Sequence, residues 1–358
     1  MCTKKPHRHS IHCILPPYIL SQIAKNGNDP QRRFAVDTLS VDVSFRQFRA
    51  TAVASGAPKA MRGAMPGTAA ALKRTIYDAK NDQSLPGTVV RTEGSDATGD
   101  VSVDEAYDYL GATYELFFDQ FQRNSIDDAG LPLDATVHYD EDYANAFWNG
   151  SQMVFGDGDG ELFTRFTASI DVIGHELTHG VTEVEAGLVY EGQSGALNES
   201  ISDVFGSLVK QYGLKQKADE ADWLIGAQLF LEPGPKRQAI RSMKEPGTAY
   251  DDSVLGKDPQ PGHMKDFVRT VEDNGGVHIN SGIPNRAFYL AAVAIGGFAW
   301  EKAGRIWYDS LLDARLKPKS TFQAFAKLTR SNAEKLYGVD SAEAKAVIQA
   351  WKDVGVIK

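Results

Sequence analysis

One segment of the chain has residue types and spacing that point at metal chemistry: Ile170-Asp-Val-Ile-Gly-His175-Glu176-Leu-Thr-His179-Gly180. On a helix, residues i and i+4 project from the same side about 6 Å apart, so His175 and His179 can share one zinc ion. Glu176 projects sideways, toward a water on that metal rather than toward the metal itself. Zinc lowers the pKa of such a water to about 7, and a neighbouring carboxylate can then take its proton. Two histidines do not complete the site, because a catalytic zinc needs a third protein ligand and an open fourth position. Asn198-Glu199-Ser-Ile-Ser-Asp203 supplies candidates, with Glu199 and Asp203 at i and i+4. Glu199 suits ligation, and Asp203 suits accepting the second N–H of a ligating histidine, which fixes its tautomer.

The elements that must position these residues follow from periodicity. Leu197, Ile201, Val204, Phe205, Leu208, Val209 and Tyr212 repeat at i, i+4, i+7 and i+8, which predicts an amphipathic helix carrying Glu199, with Gly213 just past its end. Ile283–Ala294, with Pro284 in its first turn, and two segments, Ser320–Gly338 and Asp340–Gly355, predict further helices. Before the histidine pair the pattern is mixed. Thr88–Glu93 and Ala135–Tyr139 alternate as strands, and Ala146-Phe147-Trp148, Asn149-Gly150, Gln152–Phe155 predicts a hairpin with a type I′ turn. Ser102 and Glu105 form a capping-box pattern ahead of Tyr109, Leu110, Phe117 and Phe121. The expected fold class is α+β: a strand-containing N-terminal lobe and a mostly helical C-terminal lobe, with the zinc helix between them.

Composition bounds the alternatives. The chain has 358 residues, 42% hydrophobic and 24% charged, ordinary for a globular protein of about two domains. No apolar run reaches the roughly 18 residues that cross a bilayer, so no membrane partner is expected. The net charge of −9 divides unevenly: residues 1–50 carry +5 and the remaining 308 carry −14. An acidic body without a basic aromatic stripe excludes nucleic acid as a partner, and a basic head on such a body suits docking onto it. Both cysteines, Cys2 and Cys13, lie in the head, so any metal in the body is held by His and carboxylates. The head has no apolar signal-peptide core, which predicts cytoplasmic synthesis and, if the protein leaves the cell, export by a signal-independent route. Ile14-Leu15-Pro16-Pro17-Tyr18-Ile19-Leu20 reads as an extended, proline-stiffened strip, followed by a short helix closed at Asn26-Gly27 and Asp29-Pro30. Residues 50–71 read as an exposed connection.

His175-Glu-x-x-His179 with Glu199-x-x-x-Asp203 resembles the thermolysin-like zinc endopeptidases, and the likeness runs over most of residues 70–358. The resemblance implies that His175, His179 and Glu199 ligate one zinc ion per chain, that Glu176 is the general base, and that Asp203 supports a ligating histidine. It further implies that Tyr190 and His278 stabilise the oxyanion, with Asp273 orienting His278, and that Arg241 binds a substrate carbonyl. Asn145-Ala146-Phe147 matches the edge strand to which substrate backbone is added, and Phe163, Val172 and Ile240 match the pocket for the residue after the scissile bond. That apolar pocket predicts cleavage of peptide and protein substrates on the amino side of bulky hydrophobic residues.

The head resembles the short propeptides of the protealysin-like subgroup. This implies an inhibitory propeptide, residues 1–50, lying in the chain's own cleft and removed by self-cleavage within 48–60. Residues 51–180 then form the N-terminal lobe ending in the zinc helix, and residues 181–358 the C-terminal lobe. Calcium is expected to be reduced. Asp171 and Asp222 match two members of the family's calcium cluster, but Lys210, Leu224 and Ala227 stand where long relatives carry Glu, and a lysine in such a cage is a charge conflict. Gly156-Asp157-Gly-Asp159-Gly160 lacks the glycine that a calcium loop needs at its sixth position and reads as a turn. An exopeptidase is disfavoured because no Gly-x-Met-Glu-Asn segment precedes the zinc motif. A purely structural zinc is disfavoured because it has no use for Glu176.

Overall fold

The computed structural model describes residues 12–54 and 71–358. Its elements, in chain order, are β1 (His12–Cys13), α1 (Pro17–Asn26), α2 (Asp29–Ala54), β2 (Arg74–Asp78), β3 (Thr88–Thr92), α3 (Val101–Phe121), β4 (Leu133–Val137), β5 (Ala146–Trp148), β6 (Met153–Phe155), α4 (Ile170–Glu185), α5 (Gly192–Leu214), α6 (Asp273–Asn280), α7 (Gly282–Ile295), α8 (Ala303–Leu311), α9 (Phe322–Tyr337) and α10 (Ala342–Asp353). The architecture is α+β, with a sheet before α4 and a bundle of helices after it. Among the described residues no helix is long and apolar enough to cross a membrane.

The sheet has six strands in the order β1-β5-β6-β4-β2-β3. β2, β4 and β6 run parallel, whereas β3, β5 and β1 are antiparallel to their neighbours. The hairpin joining β5 to β6 forms as expected, but its turn differs. Trp148 pairs with Met153, so the connection is four residues, and the Asn149 side chain accepts from the amides of Ser151 and Gln152. An Asx turn thus does the work assigned to a two-residue type I′ turn. α3 starts two residues earlier than its capping-box pattern implies. Asp100 caps it by accepting from Ser102 and Val103, while Glu105 is engaged by Arg165 and Thr167. α5 runs past Gly213 and stops at Leu214, with Lys215 taking the left-handed conformation at φ 54°.

The head differs most from its sequence reading. Among its described residues only β1 is a strand; Pro17 opens α1, because its fixed φ suits the first helical position. The Asp29-Pro30 pair opens a second helix rather than closing the first. Asn28 and Gln31 cap it reciprocally, each side chain accepting from the other's amide at 2.9 Å, and α2 runs on to Ala54. The head joins the core of the body through Ile14, Leu15, Ile19, Leu20, Ile23, Phe34 and Ala35, all buried. Burial of each larger side chain is worth about 1.5–3 kcal/mol. Among residues 13–43, the part of the head whose side chains are described, the buried charge is Asp42, an acid. Among the described side chains docking rests on apolar packing and strand pairing; Lys4, Lys5, Arg8, Arg46 and Arg49, five of the eight basic side chains of the head, lie outside them.

Candidate active site

The site is built where α4 and α5 cross. A Cβ on Gly206 would lie 2.3 Å from the Asp171 carbonyl oxygen, and one on Gly174 would lie 3.0 Å from the Gly206 Cα. Two glycines thus let the helix backbones touch, and this brings Glu199 of α5 over His175 and His179 of α4. All three side chains are fully buried. Their ligand atoms lie within 4.8 Å of one another, and they form the one group of this kind among the described residues. His175 Nδ1 faces Asp203 Oδ1 at 2.8 Å, and His179 Nδ1 faces Asn198 Oδ1 at 2.8 Å and Ser202 Oγ at 3.0 Å. With Nδ1 protonated toward these acceptors, both Nε2 lone pairs converge, 3.0 Å apart and 3.4–3.5 Å from the Glu199 carboxylate. A tetrahedral zinc with bonds of about 2.0–2.1 Å separates two nitrogens by about 3.3 Å. Glu199 Oε2 is buried with no hydrogen-bond partner. Donor type, spacing and this orphaned oxygen all fit zinc.

Asp203 is the hub behind the histidines. Its Oδ1 also accepts from Arg241 Nη2 at 2.8 Å, and its Oδ2 accepts from Arg241 Nε at 2.9 Å and Asn285 Nδ2 at 2.8 Å. Burial works against its charge, yet Arg241 and His175 hold its carboxyl well below the usual range. Arg241, on a short ribbon of Leu224–Ile225 with Arg241–Ser242, keeps Nη1 for a different partner, the Ile14 carbonyl at 3.0 Å.

Glu176 is fully buried beside this group. Its Oε2 accepts from the Trp148 amide at 3.3 Å, and its Oε1 has no partner. Burial and the neighbouring Glu199 push its carboxyl well above the ordinary value. Tyr190 donates its hydroxyl to Glu199 and lies 3.1 Å from His278 Nε2. His278 is fixed from behind by Asp273, whose carboxylate accepts from the His278 amide at 2.9 Å and faces Nδ1 at 2.6 Å. Burial opposes its charge, but Asp273 and Glu199 outweigh it and raise its pKa. That grip depends on a left-handed turn: Asp273, Asn274, Gly275 and Gly276 all have φ between 50° and 84°. Glycine adopts this region freely, whereas Asp273 and Asn274 hold it at a cost of about 1–2 kcal/mol each.

β5 is the strand next to the metal group, and its outer edge is occupied. β1 pairs with it antiparallel, His12 opposite Trp148 and Cys13 opposite Phe147. The pairing continues into Ile14 N to Ala146 O at 3.3 Å and Leu15 N to Asn145 Oδ1 at 3.0 Å. From α2, Thr38 accepts from the Ala144 amide, and Asp42 accepts from the Tyr143 hydroxyl at 2.7 Å and Asn145 Nδ2 at 3.0 Å. Cys13 is buried against Tyr139, Tyr143, Phe147 and Val154, and it is not among the clustered metal-ligating side chains. Phe163, Val172 and Ile240 are fully buried in the cluster that also holds Ile14 and Leu15.

Sequence reasoning missed Asn198 and Ser202, which share a helix face with Glu199 and Asp203 and were legible on that ground. It also missed Asn285, Trp148, Thr38 and Asp42, for which spacing gives no signal. At the positions matched to calcium, the Lys210 ammonium lies 2.8 Å from Asp171 Oδ2, 2.9 Å from Asp222 Oδ1 and 2.6 Å from the Leu224 carbonyl. In the Gly156–Gly160 segment, Asp157 pairs with His138 at 2.7 Å, and Asp159 accepts from the amides of Leu162 and Phe163.

Comparison with known proteins bears on this geometry. Residues 64–183 match the thermolysin metallopeptidase catalytic domain, and residues 186–356 match its alpha-helical domain. An extracellular metalloprotease of Pectobacterium carotovorum is 56% identical over 343 residues, 96% of each chain. Protease PrtS of Photorhabdus is 54% identical over 345 residues, 96% of this chain and 91% of its own. The solved precursor of protealysin, a metalloproteinase from Serratia proteamaculans, superposes with a TM-score of 0.86 at 55% identity, covering 97% of this chain and all of its own. On these matches, and on a His-His-Glu centre assembled where two glycines let α4 and α5 meet, the chain belongs to the thermolysin metallopeptidase family.

Proposed function

We propose that this chain is a zinc endopeptidase made as an inactive precursor, cutting peptide bonds on the amino side of bulky hydrophobic residues. What supports the reading above all is the juxtaposition of His175, His179 and Glu199, clustered within 4.8 Å, with the orphaned Glu176 oxygen beside them. A zinc ion held by these three would supply the Lewis acid that lets water act as a nucleophile near neutral pH. Glu176 takes the proton of the attacking water and passes it to the leaving nitrogen. His278, kept cationic by Asp273, and the Tyr190 hydroxyl donate to the carbonyl oxygen as it gains charge, so they stabilise the transition state more than the substrate. Asn145 and Ala146 hold substrate backbone as an added strand, which gives affinity without demanding a sequence. Arg241, braced by Asp203, holds the carbonyl after the scissile bond, and Phe163, Val172 and Ile240 line the apolar pocket. Asp203, Asn198 and Ser202 set the histidine tautomers.

Residues 1–50 act as an inhibitory propeptide, because β1 fills the edge that substrate would use. Its removal by a cut within 48–60 leaves residues 51–180 and 181–358 as the two lobes; residues 55–60 of that interval lie outside the described structure. Lys210 stands in for calcium between Asp171 and Asp222. The Pectobacterium relative is named as extracellular, and we take this chain to act outside the cell as well.

The test is a casein assay with and without a zinc chelator, run beside metal analysis of the purified protein and mass-spectrometric mapping of cuts in an unfolded substrate. About one zinc per chain, loss of cutting on chelation and restoration by zinc are expected, with cuts before Leu, Ile and Phe. Glu176→Gln should bind zinc yet lose at least about 100-fold in rate and keep its own head. Cutting that survives chelation, or a preference for Lys or Asp after the cut, refutes the proposal.

A further inference from the structure

We propose that the Cys13–Ile14 bond is a second processing site: the head lies in the cleft as a substrate, and the enzyme cuts it there. This rests on the peptidase reading above and assigns that site its first physiological substrate, a segment of its own chain. Four main-chain contacts fix the register. The Cys13 carbonyl oxygen lies 3.3 Å from His278 Nε2, the group assigned to receive a carbonyl that is under attack. The next amide, Ile14 N–H, donates to Ala146 O at 3.3 Å on the edge strand. The next carbonyl, that of Ile14, accepts from Arg241 Nη1 at 3.0 Å. The Leu15 amide then donates to Asn145 Oδ1 at 3.0 Å. The bond between the carbonyl on His278 and the amide on Ala146 is therefore the one presented for attack. Its neighbours are excluded, because each carbonyl–amide step along an extended strand moves about 3.3 Å away from His278.

The side chains agree with the backbone. Successive residues of a strand face opposite ways. Cys13 packs with Tyr139, Tyr143 and Phe147, whereas Ile14 belongs to the cluster that contains Phe163, Val172 and Ile240. A bulky apolar residue thus follows the presented bond, as the inferred specificity requires. In the cut, water adds to the Cys13 carbonyl carbon, the C–N bond breaks, Cys13 ends as a carboxylate and the Ile14 nitrogen takes the proton as an amine. One cut between 48 and 60 detaches the head, and the second at Cys13–Ile14 destroys it as a cleft ligand, which makes activation irreversible.

The test uses the zinc-loaded full chain and reads released peptides by mass spectrometry. A peptide ending at Cys13 and one beginning at Ile14 are expected. A synthetic peptide of residues 7–20 added to activated enzyme should be cut there and not before Ile11, although Ile11 is equally apolar; this separates register from general preference. Ile14→Asp should slow the cut at least about tenfold. A readout independent of activity is hydrogen exchange in full-length Glu176→Gln, where the Ile14 and Leu15 amides should exchange at least about tenfold slower than in the free peptide. The proposal is overturned if active enzyme accumulates beside a head intact from residue 7 to residue 20, if Glu176→Gln shows the same cut, or if those amides exchange at the free-peptide rate. If casein is digested in a chelator-sensitive way while the head stays whole, this inference fails and the peptidase reading stands; if casein is untouched, the peptidase reading itself fails.

Discussion

Replacing Lys210 by alanine tests whether an ammonium has taken over a structural role that divalent ions fill elsewhere. Lys210 is 2% exposed, and its ammonium is bonded to Asp171, Asp222 and the Leu224 carbonyl. Burial works against its charge, but the two carboxylates outweigh that cost and hold its pKa above the ordinary value. Asp222 is 46% exposed and can return to water, whereas Asp171 is fully buried, left with the Ser169 hydroxyl at 2.6 Å and the Gly226 amide at 3.3 Å. Removing one partner of a buried pair leaves an uncompensated charge, at a cost of about 3–5 kcal/mol. In a chain of this size that corresponds to a fall in Tm of about 4–7 °C. The assay is denaturant and thermal unfolding in a Glu176→Gln background, which prevents self-digestion. Lys210→Met, which keeps most of the volume, should lose nearly as much as Lys210→Ala, because charge rather than packing is at issue. Millimolar calcium should leave the parent protein unchanged. A loss under about 1 kcal/mol, or clear stabilisation of the parent by calcium, refutes the reasoning.

Two further outcomes follow from other parts of the structure. Asp203→Asn should weaken zinc binding by about 10–100-fold in competition with a chromophoric chelator, and unchanged affinity would show that Asp203 does not set the ligand geometry. His138 lies between Asp157 at 2.7 Å and Asp100 at 3.1 Å; the bond to Asp157 outweighs burial and raises its pKa to about 9. A pKa raised on folding gives stability that is full below the unfolded value of about 6.5 and is lost as pH rises through about 9. Because the ring is only half-buried, the effect is discounted to about 1 kcal/mol: His138→Gln should cost that much near pH 6 and nothing near pH 10. Equal losses at both pH values would exclude a charge effect.

The metal centre was legible because helical periodicity is local. His175 and His179, like Glu199 and Asp203, advertise a shared face by their spacing alone, and the apolar stripe beside Glu199 says which way it points. The partners that arrive from elsewhere in the chain were not legible. Asn285 reaches Asp203 across 82 residues, and the Trp148 amide reaches Glu176 across 28; no pattern in either segment records the meeting. In the head, Asp29-Pro30 carries turn chemistry and helix-opening chemistry at once. The reciprocal Asn28 and Gln31 cap decides for the helix, and only an attempt to pair those two side chains would have found it. Net charge pointed to docking, and the apolar side chains that the head buries against the body are a further cause that the charge count does not reveal.

The crossing at Gly174 and Gly206 has a consequence for how the enzyme can change over time. Bond lengths to zinc tolerate shifts of only about 0.2 Å, while a single methyl group at Gly206 would intrude on a carbonyl 2.3 Å away. The two helices are therefore spaced by the absence of side chains, and every ligand can remain in place while catalysis is lost through one added carbon. Drift at these two positions is closed even though neither touches metal or substrate, so efforts to diversify the cleft should leave both untouched and vary the loops around it.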